Sequence, residues 1–348
     1  MSNTKLIDAV YQVGLGRAPT AIEAAFWAGE LSMNSAYDRF IANVAYSAEA
    51  RIRIFHQHYV FVPPGHYLSP IVNIREVQDL VLADAEFVEP HVPAVTIDGG
   101  KMLEFWRSSV ALLKDCRFPS KQSAMFRYYD ENPAFGCGDA SILYLMLRKH
   151  QPRRVVEVGS GFSSACILDT VDQHNWHDVS LTFIDPFPER LRSVLRHNDS
   201  ARVRIIEAPV QKVDLANFTA LEKNDILFID STHVVKTGSD VNHEIFNILP
   251  YLAEGVLIHF HDIFFPFEYP SEWVLKENRS WNEAYLLRAL LMDSDAFEIV
   301  FFNDYFQRFY RGEIETTHPS LLKNPGCGIW LRKCSQALSC PPAQSKKE

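Results

Sequence analysis

Five apolar runs in the middle of the chain each stop on an acidic residue or a histidine. They are RVVEVGSG with Glu157, LTFID ending at Asp185, VRIIE at Glu207, NDILFID at Asp230, and GVLIHFHD at His261 and Asp262. Continuous β-branched runs separated by helix-length segments predict buried parallel strands rather than half-exposed antiparallel ones. Strands are expected near 154–158, 181–185, 203–207, 225–230 and 255–261, with helices near 163–173, 187–196, 210–220 and 240–252. Two later runs, FEIVFF (297–302) and GCGIWLR (326–332), complete a seven-stranded sheet and are expected to pair with each other. The fold class is therefore α/β, a doubly wound sheet. Ligands of such sheets sit beyond the carboxyl ends of the strands, which is where this chain collects its polar groups.

The flanking segments read differently. Residues 1–52 predict a small all-α domain: Leu6, Val10 and Val13 share a helical face, Thr20 caps a helix over 21–31, and a third helix fits 36–46. Residues 53–135 form a connector in which FVPPGHYLSPI is expected to be an ordered loop with apolar groups to bury. Helices over 101–113 and 139–148 lead into the main domain, 136–335, and 336–348 is a tail. Asp240 is expected to cap the helix after the fourth strand, and Ser280 with Glu283 reads as a capping box.

Composition narrows the function. Apolar and charged contents of 47% and 22% are those of an ordinary globular protein. A net charge of −9 argues against nucleic acid as a partner, because duplex binding needs a basic footprint. No run approaches the roughly 18 apolar residues of a membrane span, and the N-terminus lacks a secretory layout, so a cytoplasmic location is expected. The six cysteines form no CxxC pair, and Cys327, Cys334 and Cys340 are spaced unlike usual zinc ligands.

The first strand opens into Glu157-Val158-Gly159-Ser160-Gly161-Phe162-Ser163, a glycine turn ahead of a helix. Glycines there let the backbone bend tightly and approach a ligand. A dinucleotide wants a third glycine beside its pyrophosphate, and Ser164 holds that place. S-adenosylmethionine has no phosphate to cradle, and an acid before the first glycine, Glu157, suits its cationic methionine end. Asp185, ending the second strand, can accept hydrogen bonds from both ribose hydroxyls, a feature that NAD would share. The alternatives are an NAD-linked oxidoreductase and a non-catalytic cofactor-binding scaffold.

Five ordered blocks then carry a resemblance: RVVEVGSGFSS, IDPFPERL, FIDSTHVVKTGSDVNHEI, GVLIHFHDIFFPFEYP and WNEAYLL. Together they resemble class I S-adenosylmethionine-dependent methyltransferases of bacterial secondary and glycan metabolism, over about 130–332. That resemblance implies a Rossmann-like seven-stranded sheet with a reversed last strand. It also implies that Gly159, Ser160 and Gly161 line the methionine part, that Asp185 binds ribose, and that adenine lies near Ala208 and Gln211. Upstream, YQVGLGRAPT, AFWAGEL and FIANVAYSAEAR resemble a short bacterial helical domain of unknown function, which implies an accessory module attached to enzymes of surface or glycan biology.

A hydroxyl acceptor is a poor nucleophile near neutral pH and needs a base or a metal. Asp230, His233, His261 and Asp262 sit at the ends of the fourth and fifth strands and are the candidate catalytic residues. One reading places Mg²⁺ or Mn²⁺ on Asp230 and Asp262, with His261 or His233 assisting; catechol-type methyltransferases resemble this, but carry an acid where this chain has His261. Mg²⁺ prefers oxygen, so the histidine favours Mn²⁺ or no metal. The other makes His261 or His233 a general base oriented by Asp230 or Asp262. The aromatic loop Phe264–Pro270 is expected to wall off the reacting centre. The implied partner is a small-molecule or glycan acceptor, methylated on oxygen.

Overall fold

All seven apolar runs are strands of one sheet: β1 (Arg154–Val158), β2 (Ser180–Ile184), β3 (Val203–Ile206), β4 (Ile226–Ile229), β5 (Leu257–His261), β6 (Phe297–Phe302) and β7 (Gly328–Lys333). In this computed structural model their order is β3-β2-β1-β4-β5-β7-β6. The first five pair in parallel, while β7 runs antiparallel to both β5 and β6. The sheet is thus Rossmann-like with its last strand reversed, inserted between β5 and β6. β1, β4 and β5 are buried along nearly their whole length, as continuous apolar runs require. The structure describes residues 3–34, 37–45, 47, 49–50, 61–85 and 89–338, and among them no helix is long and apolar enough to cross a membrane.

The chain divides into two compact units, Met1–Asp79 and Leu80–Glu348. The first contains α1 (Asn3–Leu15), α2 (Ala21–Asn34) and α3 (Tyr37–Ala45) around Ile7, Tyr11, Trp27, Leu31, Phe40 and Val44. Thr20 and Glu23 form a capping box at the start of α2. Arg17 of YQVGLGRAPT donates to Glu23 and to Glu49 of FIANVAYSAEAR, tying two of the quoted blocks together by an ion pair. The buried stripe of α1 is Ile7 and Tyr11; Val13, expected on it, is exposed. The proline-aromatic segment also departs from expectation, since Phe61 and Tyr67 are exposed. The connector before residue 61 and the tail beyond 338 lie outside the described residues.

In the second unit, helices Gly99–Ser109, Cys137–His150 and Phe162–Gln173 form as the periodicity predicts, the first capped by Asp98 accepting from Lys101 N at 2.9 Å. Two expected helices are broken. The segment after β3 gives only short turns, Val210–Lys212 and Ala216–Thr219. The segment after β4 runs from an α-turn, Asp240–His243, into a π-turn, Glu244–Ile248, and a tight turn containing Pro250. Proline removes a helix donor, and buried Glu244 accepts from Ser231 at 3.1 Å, holding the turn toward the end of β4. Ser239, not Asp240, caps this helix, while Asp240 accepts from Thr232. The helix Glu283–Leu291 has no side-chain cap, because Glu283 bonds elsewhere.

One buried cation ties the sheet's flank together. Arg127 is 6% exposed and pairs with Asp169 at 2.7 Å, Asp172 at 2.8 Å and Asp199, joining its loop to helix Phe162–Gln173 and the turn before β3. Asp169 also accepts from the backbone of Arg127 and Tyr128. Removing one partner of a buried ionic network leaves uncompensated charge, so Arg127→Ala is expected to cost about 3–5 kcal/mol of stability. Urea unfolding of the full chain checks this; a loss within about 0.5 kcal/mol, the range of ordinary surface changes, refutes it.

Candidate active site

A steric constraint shapes the glycine turn. Gly159 has φ of +78°, and a Cβ there would stand 1.8 Å from the carbonyl oxygen of Asp230. Only glycine fits. The ladder continues past the strand ends: Gly159 N donates to Ile184 O, and Asp230 N to Val158 O, each at 2.9 Å. Ser160 donates to Asp185 from its backbone at 2.9 Å and its hydroxyl at 3.1 Å, and Phe187 N adds a third bond at 2.7 Å. Asp185 is thereby fixed at the edge of the cleft. Glu157 lies beneath the turn, fully buried, accepting from Ser163 and, at 2.5 Å, from Ser164. Burial pushes its carboxyl up to about 8 against those two bonds. Its side chain lines none of the lobes described next.

The carboxyl ends of the strands enclose three adjoining lobes. The largest, about 590 Å³, is bounded by Gly159, Ser160, Asp185, Asp230, His233, His261 and Asp262. Trp273, Arg279 and Trp281 form its rim, with the Arg279 guanidinium 4.0 Å and 4.8 Å from the two indole centroids. A lobe of about 330 Å³ shares Gly159, Asp185 and Asp230 and extends between Phe187 and Pro209–Gln211. A third, about 350 Å³, shares His261 and Asp262 and reaches Asn132, Phe264, Trp273 and Cys327. Gln211 lines the second lobe and donates to Gly238 O at 2.9 Å; Ala208 sits just before its wall. Glu207 is exposed and paired with Arg192.

His233 is the most constrained polar residue of the site. Its Nδ1 is 2.8 Å from buried Glu283, and its Nε2 is 3.4 Å from Asp230 and 3.6 Å from Asp262. Trp281 packs on the ring at 4.4 Å, and His233 O accepts from the backbone of Asn282 and Glu283. Burial opposes its protonation, but Asp230 and Glu283 outweigh burial and hold its pKa well above the ordinary value. For Asp230 burial is again opposed, here by His261 and His233, and the carboxyl is held below its usual value. His233 and Asp262 both have positive φ, 60° and 54°. Such backbone costs about 1–2 kcal/mol per non-glycine residue, and here it turns both side chains back over the strand ends.

Asp230, His233 and Asp262 each offer one ligand atom, all within 4.8 Å. His261, expected with them, groups instead with Asp139 and Cys327. The anticipated aromatic wall is only partly present: Phe265, Phe267 and Tyr269 are buried in the core, while Phe264 and Pro270 line a lobe. Glu283, Cys327 and Asp139 were not anticipated. Glu283 read as a helix cap, Cys327 was weighed only against zinc spacings, and Asp139 sits in the first turn of a buried helix with no local motif.

A family model described as a methyltransferase domain matches residues 156–263, from β1 through the end of β5. The chain belongs to the class I S-adenosylmethionine-dependent methyltransferases. An uncharacterized protein of Archaeoglobus fulgidus is 32% identical over 172 residues, covering 47% of this methyltransferase and 75% of its own length. Among solved structures, the SAH-bound methyltransferase PaMTH1 of Podospora anserina is 16% identical, covering 79% of this chain and 99% of its own, at a TM-score of 0.37. The O-methyltransferase TomG of Streptomyces achromogenes, involved in tomaymycin synthesis and solved with SAM, is 13% identical over 69% of this chain and 92% of its own, also at 0.37. At such TM-scores neither carries weight for this methyltransferase.

Glu157 holds its proton more tightly in the folded methyltransferase, to about 8, than at its ordinary 4.5. Folding then weakens as pH rises through that window, because the unfolded chain has already released the proton. Glu157→Gln is expected to flatten the decline, read from urea midpoints across the window. Parallel curves for the two proteins would refute the assignment.

Proposed function

We propose that this enzyme methylates a hydroxyl of a sugar-like or other polyhydroxylated small molecule. The observation that carries the reading is the continuity of the glycine-turn lobe with the cluster of Asp230, His233 and Asp262. S-adenosylmethionine supplies a methyl group on a cationic sulfur, and a divalent cation would lower the pKa of the acceptor hydroxyl. Asp185 accepts from the ribose diol, and Phe187 with Pro209–Gln211 offers an apolar slot for adenine. Gly159 brings bare backbone to the methionine part.

The acceptor side supports oxygen chemistry. Two carboxylates and one imidazole suit a hard or borderline ion such as Mn²⁺ or Mg²⁺. Glu283 accepts from His233 Nδ1–H and leaves Nε2 toward the cluster, the arrangement by which proteins fix a ligating imidazole. Asn132, Gln307 and Asn324 with Trp273 in the third lobe mix amides and an aromatic face, which suits a ring bearing several hydroxyls. The rim tryptophans and Arg279 limit water at the reacting centre. In-line transfer needs only such positioning and a deprotonated oxygen.

Calorimetric titration with S-adenosylmethionine should show binding, weakened roughly 10–100-fold by Asp185→Ala, the loss of about 1.5–3 kcal/mol in hydrogen bonds to a charged group. NAD binding in its place would defeat the reading. Exhaustive EDTA treatment is expected to stop transfer to polyhydroxylated acceptors and to spare cofactor binding. Full activity after chelation would refute the cation.

A further inference from the structure

We propose that Asp139, His261 and Cys327 form a second divalent-cation site of mixed oxygen, nitrogen and sulfur character, suited to Zn²⁺. The three offer one ligand atom each, all within 4.8 Å of one another. Asp262 Oδ1 accepts from the Cys327 thiol at 3.0 Å and stands 3.6 Å from His261 Nε2. Ordinary bond lengths in a tetrahedral zinc site set ligand-to-ligand distances of about 3.4–3.6 Å. Closing separations of at most 4.8 Å to that distance converts the cluster into a coordination shell. On binding, the thiol proton leaves to solvent and the thiolate becomes the ligand.

An independent observation points to a ligand here. His261 is 4% exposed, and its Nδ1 has no hydrogen-bond partner. Buried polar atoms without partners are rare and call for an explanation. His259, two residues earlier, also lacks partners, but it is sealed between Phe228 and Trp330 and lines neither lobe. His261 opens onto both lobes that meet at Asp262. The donor chemistry then selects the ion: imidazole with thiolate favours zinc over magnesium or manganese. Asp139 is set in place by accepting from Cys327 N and Asn303 Nδ2, each at 2.9 Å.

Asp262 stands between the two clusters, its Oδ2 3.6 Å from His233 and its Oδ1 3.0 Å from the Cys327 thiol. The inference does not rest on the proposed function. The metal-stripped full chain is titrated with Co²⁺, whose sulfur-to-cobalt charge-transfer absorption reports a thiolate ligand. The band is expected in the parent chain and in Asp230→Asn, and is expected to vanish in Cys327→Ser. That variant should lose more zinc affinity than the roughly 10–100-fold typical of outer-shell changes. A parent chain without the band, or a band persisting in Cys327→Ser, overturns the proposal. If Cys327→Ser does not fold, alkylation of the parent chain decides: zinc should protect Cys327 from iodoacetamide, read by peptide mass spectrometry, and an unchanged rate overturns it. Heats of S-adenosylmethionine binding in the same samples separate the two readings. An intact band without cofactor binding defeats only the proposed function, and the reverse defeats only this site.

Discussion

The carbonyl oxygen of Asp230 stands where the first side-chain carbon of any residue but glycine would lie at position 159. That contact is the constraint on which the cleft depends. It brings the ends of β1 and β4 together more closely than two side chains would allow. The glycine turn and the Asp230 carboxylate thus come from adjacent strands at one point. Asp185 is pinned across this junction by Ser160, and the Asp230 carboxylate emerges beside it. Moving β1 from β4 would separate the binding and reacting halves of the site at once.

Electrostatics divides the acidic groups of this edge by environment. Glu157 and Asp230 each end an apolar run and look alike in the sequence. Glu157 is enclosed with two serine hydroxyls and no cation, so burial dominates and its proton is retained. Asp230 faces His233 and His261, whose charge outweighs the same desolvation. One acid is therefore held protonated and the other ionised, and only the partners arriving from other strands decide which.

The sheet was legible because each strand announced itself as an apolar run with a polar end, and the strand ends are where a parallel sheet puts its ligands. Asp185, Asp230, His233, His261 and Asp262 all face the cleft as that logic requires. Illegible were the residues that reach the site from outside the parallel array. Cys327 arrives because β7 runs backwards, so the start of that strand, rather than its end, abuts the end of β5. Glu283 occupies a position where helix capping uses the same residue type, and only tertiary structure shows its bond to His233. The helix after β4 broke because Pro250 and buried Glu244 impose local geometry that outweighs periodicity.

The placement of β7 has a consequence for assembly. β6 is made first yet occupies the outer edge, so the final strand must enter a gap between neighbours that precede it in the chain. β7 is also the last strand of the sheet in the chain, so its pairings can form only after β5 and β6 have been made. Until that insertion, Asp262 lacks the thiol that caps it. A newly made polypeptide would thus hold the lobe at the glycine turn before the lobe lined by Cys327 is closed.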